Sequence, residues 1–328
     1  MNTRPSRAFR RLAITTAALT YLLIVVGGIV RVTGSGDGCG TSGGWPLCNG
    51  SLLPALRTTT LIEFSHRWVT TLTTVCVVAL VITAWLTQRR HRRLVVGSTL
   101  AGVLLLLQIA LGALVVEFSL PGGIVLVHLA NALLLLGVLT YVAASAQREA
   151  DDVSRRPSAS GWRTTPALAA LAAAATYVLA LTGALVVETG SSAGCDGWPL
   201  CGGGFQLPAS QMDVIDMVHR VVAGIAVILI GAVMGIVMRR SRDDRGIRRV
   251  AMLVNVVLLA QIAAGALVVV LRLPAGVQAL HIALASLLWA SVVTVAVMAR
   301  GRQVQAAPAP LETQQPAAVR SRAGMAST

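Results

Sequence analysis

Gln108-Ile-Ala-Leu-Gly-Ala-Leu-Val-Val116 and Gln261-Ile-Ala-Ala-Gly-Ala-Leu-Val-Val269 are two copies of one segment, 153 residues apart. At the same offset Trp45-Pro-Leu-Cys48 recurs as Trp198-Pro-Leu-Cys201, His66-Arg67 as His219-Arg220, Pro121 as Pro274 and His128 as His281. So many rare residues do not align at one offset by chance, and the chain is a tandem repeat. Outward from these anchors, the sequence is a series of long apolar stretches near 12–31, 61–87, 94–116, 122–146, 166–187, 213–238, 249–271 and 276–299. Each is long enough to cross roughly 30 Å of hydrocarbon at about 1.5 Å per helical residue.

The pattern predicts an all-α polytopic membrane protein. Each half holds an even number of spans and therefore keeps the same orientation. The expected architecture is two tandem four-helix bundles related by a pseudo-two-fold axis along the membrane normal. The expected organisation is an N-terminal segment 1–11, a bundle 12–146, a polar cytoplasmic linker 147–165, a second bundle 166–299 and a tail 300–328. The tail, rich in Ala, Pro and Gln and without an apolar period, is expected to be disordered.

Composition excludes a soluble single core: of 328 residues, 55% are apolar and 12% charged, against roughly a quarter charged in an ordinary soluble domain. The 27 basic residues are all arginine, against 13 acids, for a net charge of +14. On a soluble protein that balance would suggest nucleic acid. Here 22 of the 27 arginines fall in segments that a cytoplasmic N-terminus would place inside. The charge is topology, and no nucleic-acid partner is expected. Both termini are then cytoplasmic, and loops 32–60 and 188–212 face out. The first span follows a basic run, Arg4, Arg7, Arg10 and Arg11, but it is longer than a signal-peptide core and lacks an A-x-A-like site, so it is expected to stay uncleaved.

His66, His128, His219 and His281 each lie five or six residues inside the outer end of an even-numbered span. That is about 7–9 Å below the outer boundary. Each half thus offers imidazoles on its second and fourth helices, which suits bis-axial ligation of a haem iron. For one intramembrane histidine alone, a hydrogen-bonded helix contact explains as much; four at repeated positions favour the metal. Zinc or copper would be short of ligands. His91, in a basic cytoplasmic run, reads as a solvated charge. Gly112 and Gly265, near histidine depth, would leave room for a flat macrocycle or allow close helix packing. Arg67 and Arg220 could pair with haem propionates or snorkel to the headgroups.

The halves differ at one acid. Glu63 precedes His66 by one helical turn, and its counterpart before His219 is the shorter Asp216. A carboxylate there can act on protons or on a developing cation at the macrocycle rim; a helix N-terminal acid favoured by the dipole is the plainer account. The outer loops carry the pairs Cys39–Cys48 and Cys195–Cys201. Outside the cytoplasm each pair is expected to oxidise to a disulfide, with metal binding the weaker alternative because neither loop contains histidine. Cys76, within the second span, reads as inert core.

Glu63-Phe-Ser-His66-Arg67 resembles the ExxHR motif of the haem A synthase family. Thr33-Gly34-Ser35-Gly36 and Trp45-Pro46 resemble its first outer loop, and the histidines of spans two, four, six and eight match its pattern, over about residues 10–300. The resemblance implies a cell-membrane oxidoreductase that converts the methyl group at ring position 8 of haem O to a formyl group by successive oxygenation steps, giving haem A for terminal oxidases. It implies a haem b cofactor on His219 and His281. Substrate haem would sit on His66 and His128, with iron as the only metal. Glu63 becomes the catalytic carboxylate, stabilising a carbocation or moving protons, and the Cys39–Cys48 pair is similar to one proposed for electron or haem handover. Implied partners are haem O, the bilayer, haem O synthase, oxidase assembly factors and an electron donor for which a quinol is a candidate. The haem sites would lie near the outer face. Two rivals are a diheme b-type electron carrier, such as a quinol-linked subunit, and a transporter on a parallel repeat. The spans lack the Pro-broken midplane segments and midplane charges of the latter.

Overall fold

Several helix starts in this chain are marked by their sequence, those of α1 (Arg7–Val32), α6 (Gln211–Arg240), α7 (Arg245–Val270) and α8 (Ala275–Ala299). Ser6 accepts from the Phe9 N–H at the start of α1. Ser210 and Asp213 form a reciprocal capping box at α6, Asp244 accepts from Gly246 and Ile247 at α7, and Pro274 precedes α8. The computed structural model describes residues 4–40, 47–52, 54–118, 121–152, 165–195, 197–203 and 208–300. Trp45 and Pro46 of the loop motif, most of the expected linker and the tail 301–328 lie outside the described residues.

Among the described residues there are eight long helices and no strands: α1 Arg7–Val32, α2 Thr58–Thr87, α3 Arg92–Glu117, α4 Gly122–Asp152, α5 Thr165–Glu188, α6 Gln211–Arg240, α7 Arg245–Val270 and α8 Ala275–Ala299. All eight are long and apolar enough to cross a membrane. Threonine hydroxyls inside them are satisfied by carbonyls one turn back, as in Thr16 to Leu12, Thr20 to Thr16 and Thr176 to Ala172. Large apolar side chains such as Leu72, Val75, Leu106, Ile228 and Leu259 remain exposed. In water that surface would be a liability; against lipid it is the expected exterior.

Within each half the first helix packs on the second and fourth, and the third closes the ring on both its neighbours. The halves meet chiefly through α1 with α8, α4 with α5, and α4 with α8. Trp289 of α8 sits in this seam. Its Nε1 donates to the Leu133 carbonyl at 2.8 Å. Its ring lies so close to Gly137 that a Cβ there would stand 2.7 Å from Cζ2.

Helix α4 runs to Asp152, past residue 147 where the linker was expected to begin. Gln147-Arg148-Glu149-Ala150 favours helix, and tertiary contacts hold the extension. Arg10 donates to Gln147 at 2.8 Å, and Glu149 pairs with His91. His91, in the turn between α2 and α3, is therefore packed against a carboxylate, a correction to its reading as a solvated charge.

Both long loops and the turns after α3 and α7 lie at one end of the bundle. The loops are pressed onto the helices by glycines. A Cβ on Gly38 would stand 2.6 Å from the Thr59 carbonyl oxygen, and one on Gly194 2.9 Å from that of Met212.

Candidate functional site

Each of the four repeated histidines faces a glycine on a neighbouring helix. A Cβ at Gly27 would stand 3.2 Å from His66 Nε2, at Gly112 3.2 Å from His128 Cε1, at Gly183 3.0 Å from His219 Cε1 and at Gly265 2.9 Å from His281 Cε1. Gly112 and Gly265 stand where the sequence places them. Gly27 and Gly183 are invisible at an offset of 153, yet the signal exists. In the first span and early loop the repeat runs at 156, aligning Tyr21 with Tyr177, Gly27 with Gly183, Thr33-Gly34 with Thr189-Gly190 and Cys39 with Cys195. The second loop is three residues shorter between its cysteines, which resets the register.

Three of the imidazoles have hydrogen-bond partners. Gln108 Nε2 contacts His128 Nε2 at 2.9 Å, Gln261 Nε2 contacts His281 Nε2 at 3.2 Å and Thr182 Oγ1 contacts His219 Nδ1 at 2.9 Å. The Nδ1 atoms of His128 and His281 are buried without a partner. His66 and His128 lie within electrostatic reach of each other, as do His219 and His281.

Glu63 is buried one turn from His66 and fully engaged. Its Oε1 accepts from Arg67 Nε at 3.1 Å and Nη2 at 2.7 Å. Its Oε2 accepts from the Cys39 backbone N–H at 2.7 Å. Asp216 instead accepts from Arg220 through both oxygens, Nε to Oδ1 at 3.3 Å and Nη2 to Oδ2 at 2.9 Å, and takes no loop N–H among the described residues. Cys39 is bonded to Cys48 and Cys195 to Cys201, as the sequence leads one to expect.

The arginines do something the sequence does not reveal. Arg67 donates to the Leu47 and Gly40 carbonyls, and Arg220 to those of Cys195, Gly197 and Pro199. Both guanidinium groups face the loop that precedes their own helix and tie each loop to the carboxylate above the histidine. A further pair joins the halves: Arg31 makes a bidentate contact with Glu188, 2.9 Å at each nitrogen.

Each imidazole pair supplies two nitrogen donors. Among the described residues no three His, Cys, Asp or Glu side chains gather closely enough to hold a metal ion by themselves. A metal seated between such a pair must bring its remaining ligands with it, as an iron porphyrin does. The glycine faces that a Cβ would fill fit a flat macrocycle entering beside the rings.

Fold and site together define a multi-pass helical membrane protein with a paired-imidazole site in each repeated half. Residues 10–293 match the family model described as cytochrome oxidase assembly protein, COX15-CtaA, and the chain belongs to that family. It is 32% identical to the heme A synthase of Bacillus licheniformis over 287 residues, covering 84% of this chain and 91% of that protein. It is 32% identical to the heme A synthase of Symbiobacterium thermophilum over 295 residues, 86% of this chain and 92% of the relative. With the heme A synthase of Geobacillus kaustophilus it shares 34% identity over 272 residues, 79% and 81% of the two chains.

Proposed function

We propose that this protein is a haem A synthase, a membrane oxidoreductase that oxidises the C8 methyl group of haem O to the formyl group of haem A. One observation carries the reading beyond the family: of two equivalent imidazole pairs, one lies beneath a carboxylate that takes a loop N–H, Glu63, while Asp216 beside the other takes none among the described residues. Identical electron relays would have no use for that difference, which tells against a diheme carrier.

In this reading the N-terminal bundle 12–146 receives haem O between His66 and His128, and the C-terminal bundle 166–299 holds a haem b on His219 and His281. When bound, that haem b supplies one-electron redox chemistry beside the substrate. The four imidazoles fix the ring planes and their depth. Gly27 and Gly112 leave space for the substrate macrocycle, and Gly183 and Gly265 for the resident one. Glu63, held in place by Arg67 and by the Cys39 N–H, presents its carboxyl group at one edge of the substrate pocket. There it stabilises positive charge developing at the methyl carbon or accepts the proton released there. The Cys39–Cys48 disulfide keeps the loop that positions this carboxylate closed.

The arginine distribution supports cytoplasmic termini and haem sites near the outer face. The exchange-related contacts between halves support a pseudo-two-fold axis along the membrane normal. Haem O synthase, oxidase assembly factors and a quinol or other electron donor are the expected partners.

The test is haem extraction and chromatography from membranes expressing the chain beside a haem O source. Haem A should form; His219→Ala and His281→Ala should lose the resident haem b. Glu63→Gln should keep haem and make no haem A. Two permanent haems b with no haem A would sink the reading in favour of the carrier.

A further inference from the structure

We infer that hydrogen bonds behind the imidazoles set the lifetime of haem in each half. Thr182 makes the C-terminal site a permanent holder, and the Asn131–Gln108 relay makes the N-terminal site an exchangeable one. This rests on the haem-binding reading above and adds to it the residues that give the two halves different exchange rates.

In the C-terminal half, Thr182 donates its one hydroxyl proton to the Leu179 carbonyl at 2.8 Å. Toward His219 it can then only accept, so Nδ1 carries the proton and Nε2 presents its lone pair. Among the described residues nothing is hydrogen-bonded to that Nε2. A ring oriented through Nδ1 with Nε2 open is in the state that ligates iron, and such a partner also raises the basicity of the ligand. The residue equivalent to Thr182 in the first half is Val26, 156 positions earlier. Valine has no hydroxyl, and the His66 ring has no hydrogen-bond partner among the described residues.

On the opposite helix the asymmetry runs the other way. Asn131 Nδ2 donates to the Leu104 carbonyl at 2.9 Å and to Gln108 Oε1 at 2.6 Å. That fixes the Gln108 amide with its NH2 toward His128, so it donates onto the Nε2 lone pair at 2.9 Å. Iron must displace this donor: as the Nε2–iron bond forms, the amide hydrogen bond breaks, and no electrons change hands. In the second half Leu284 stands where Asn131 would be, 153 positions on. Gln261 Oε1 is buried without a partner, and its contact to His281 is longer, 3.2 Å. An unanchored amide can rotate away; an anchored one returns and competes with the metal. A substrate and product site must release its haem at every turnover, and a cofactor site must not.

The test uses full-length protein in detergent, loaded with haem b, with haem loss followed by transfer to a scavenging apoprotein and the low-spin ferric signal recorded by electron paramagnetic resonance. A His66→Ala/His128→Ala background isolates the C-terminal site, and His219→Ala/His281→Ala the N-terminal one. Thr182→Val should speed loss from the C-terminal site by roughly tenfold to a hundredfold, the usual scale for such partners, and shift its resonance signal; Thr182→Ser should restore both. Val26→Thr and Asn131→Leu should each slow loss from the N-terminal site. Unchanged rates in Thr182→Val, or faster loss in Asn131→Leu, would overturn the inference while leaving the function standing. Retention of the resident haem by the His219→Ala/His281→Ala protein, with none bound in the complementary background, would overturn both.

Discussion

The backbone N–H of Cys39 donates to Glu63 Oε2 across 2.7 Å, so the loop after α1 and the carboxylate one turn from His66 form one hydrogen-bonded unit. Arg67 completes the unit from the other side by holding Glu63 Oε1 and two loop carbonyls. Asp216 takes no equivalent loop N–H among the described residues. Glu63→Asp, one methylene shorter, should therefore loosen or lose the Cys39 contact. Losing a charge-assisted hydrogen bond of about 1.5–3 kcal/mol should lower haem A formation by roughly tenfold or more, with the haem-to-protein ratio unchanged. Haem chromatography on matched membranes checks it; undiminished haem A would show that the loop contact is idle.

The glycines opposite the histidines make a graded series. Gly265→Ala would place its Cβ 2.9 Å from the His281 ring, Gly183→Ala 3.0 Å from His219, and Gly112→Ala and Gly27→Ala 3.2 Å from theirs. Overpacking at such contacts costs about 1–3 kcal/mol. The expected outcome is a fall in retained haem that is steepest for Gly265→Ala and mildest at 3.2 Å, read as Soret absorbance per protein.

Arg31 and Glu188 join the halves at the end of the seam where α1 and α5 finish. Arg31 is 40% exposed, so solvent screening holds the contribution to about 1 kcal/mol or less. Glu188→Gln should lower the thermal midpoint in detergent by about 2 °C at low salt. The difference should shrink in high salt, where the parent pair is itself screened; a salt-independent deficit would assign the effect to packing instead.

Deeper in the same seam, Gly137→Ala would drive a Cβ to 2.7 Å from the Trp289 ring. It should destabilise the protein by about 1–3 kcal/mol. Trp289→Leu in the same chain should relieve part of that cost. Thermal unfolding of the two single variants and the double one gives the coupling directly, and strict additivity would mean that the ring does not set the approach of α4 to α8.

The spans, the two halves and the four histidines are legible in the sequence because bilayer thickness dictates apolar length and duplication writes each ligand twice. What escapes is what the repeat does not duplicate in register. Gly27 and Gly183 hide behind the three-residue difference between the cysteine loops. Arg67 and Arg220 are visible, but the carbonyls they bind belong to irregular loops with no periodicity to read. Arg31 and Glu188 are two isolated charges 157 positions apart, and nothing in a linear pattern pairs them. Asn131 and Thr182 look like ordinary polar residues until the ring nitrogens they govern can be seen.

That unduplicated pair says something about ancestry. At the offset that aligns the first spans of the two halves, Arg31 corresponds to Val187 and Glu188 to Val32. A symmetric dimer of the first half would set two arginines at its seam with no acid to meet them, and a dimer of the second two glutamates with no base. Each half thus offers the other a charge that a copy of itself would lack, and a chain cut at the linker should reassemble with a preference of a few-fold for the mixed pair.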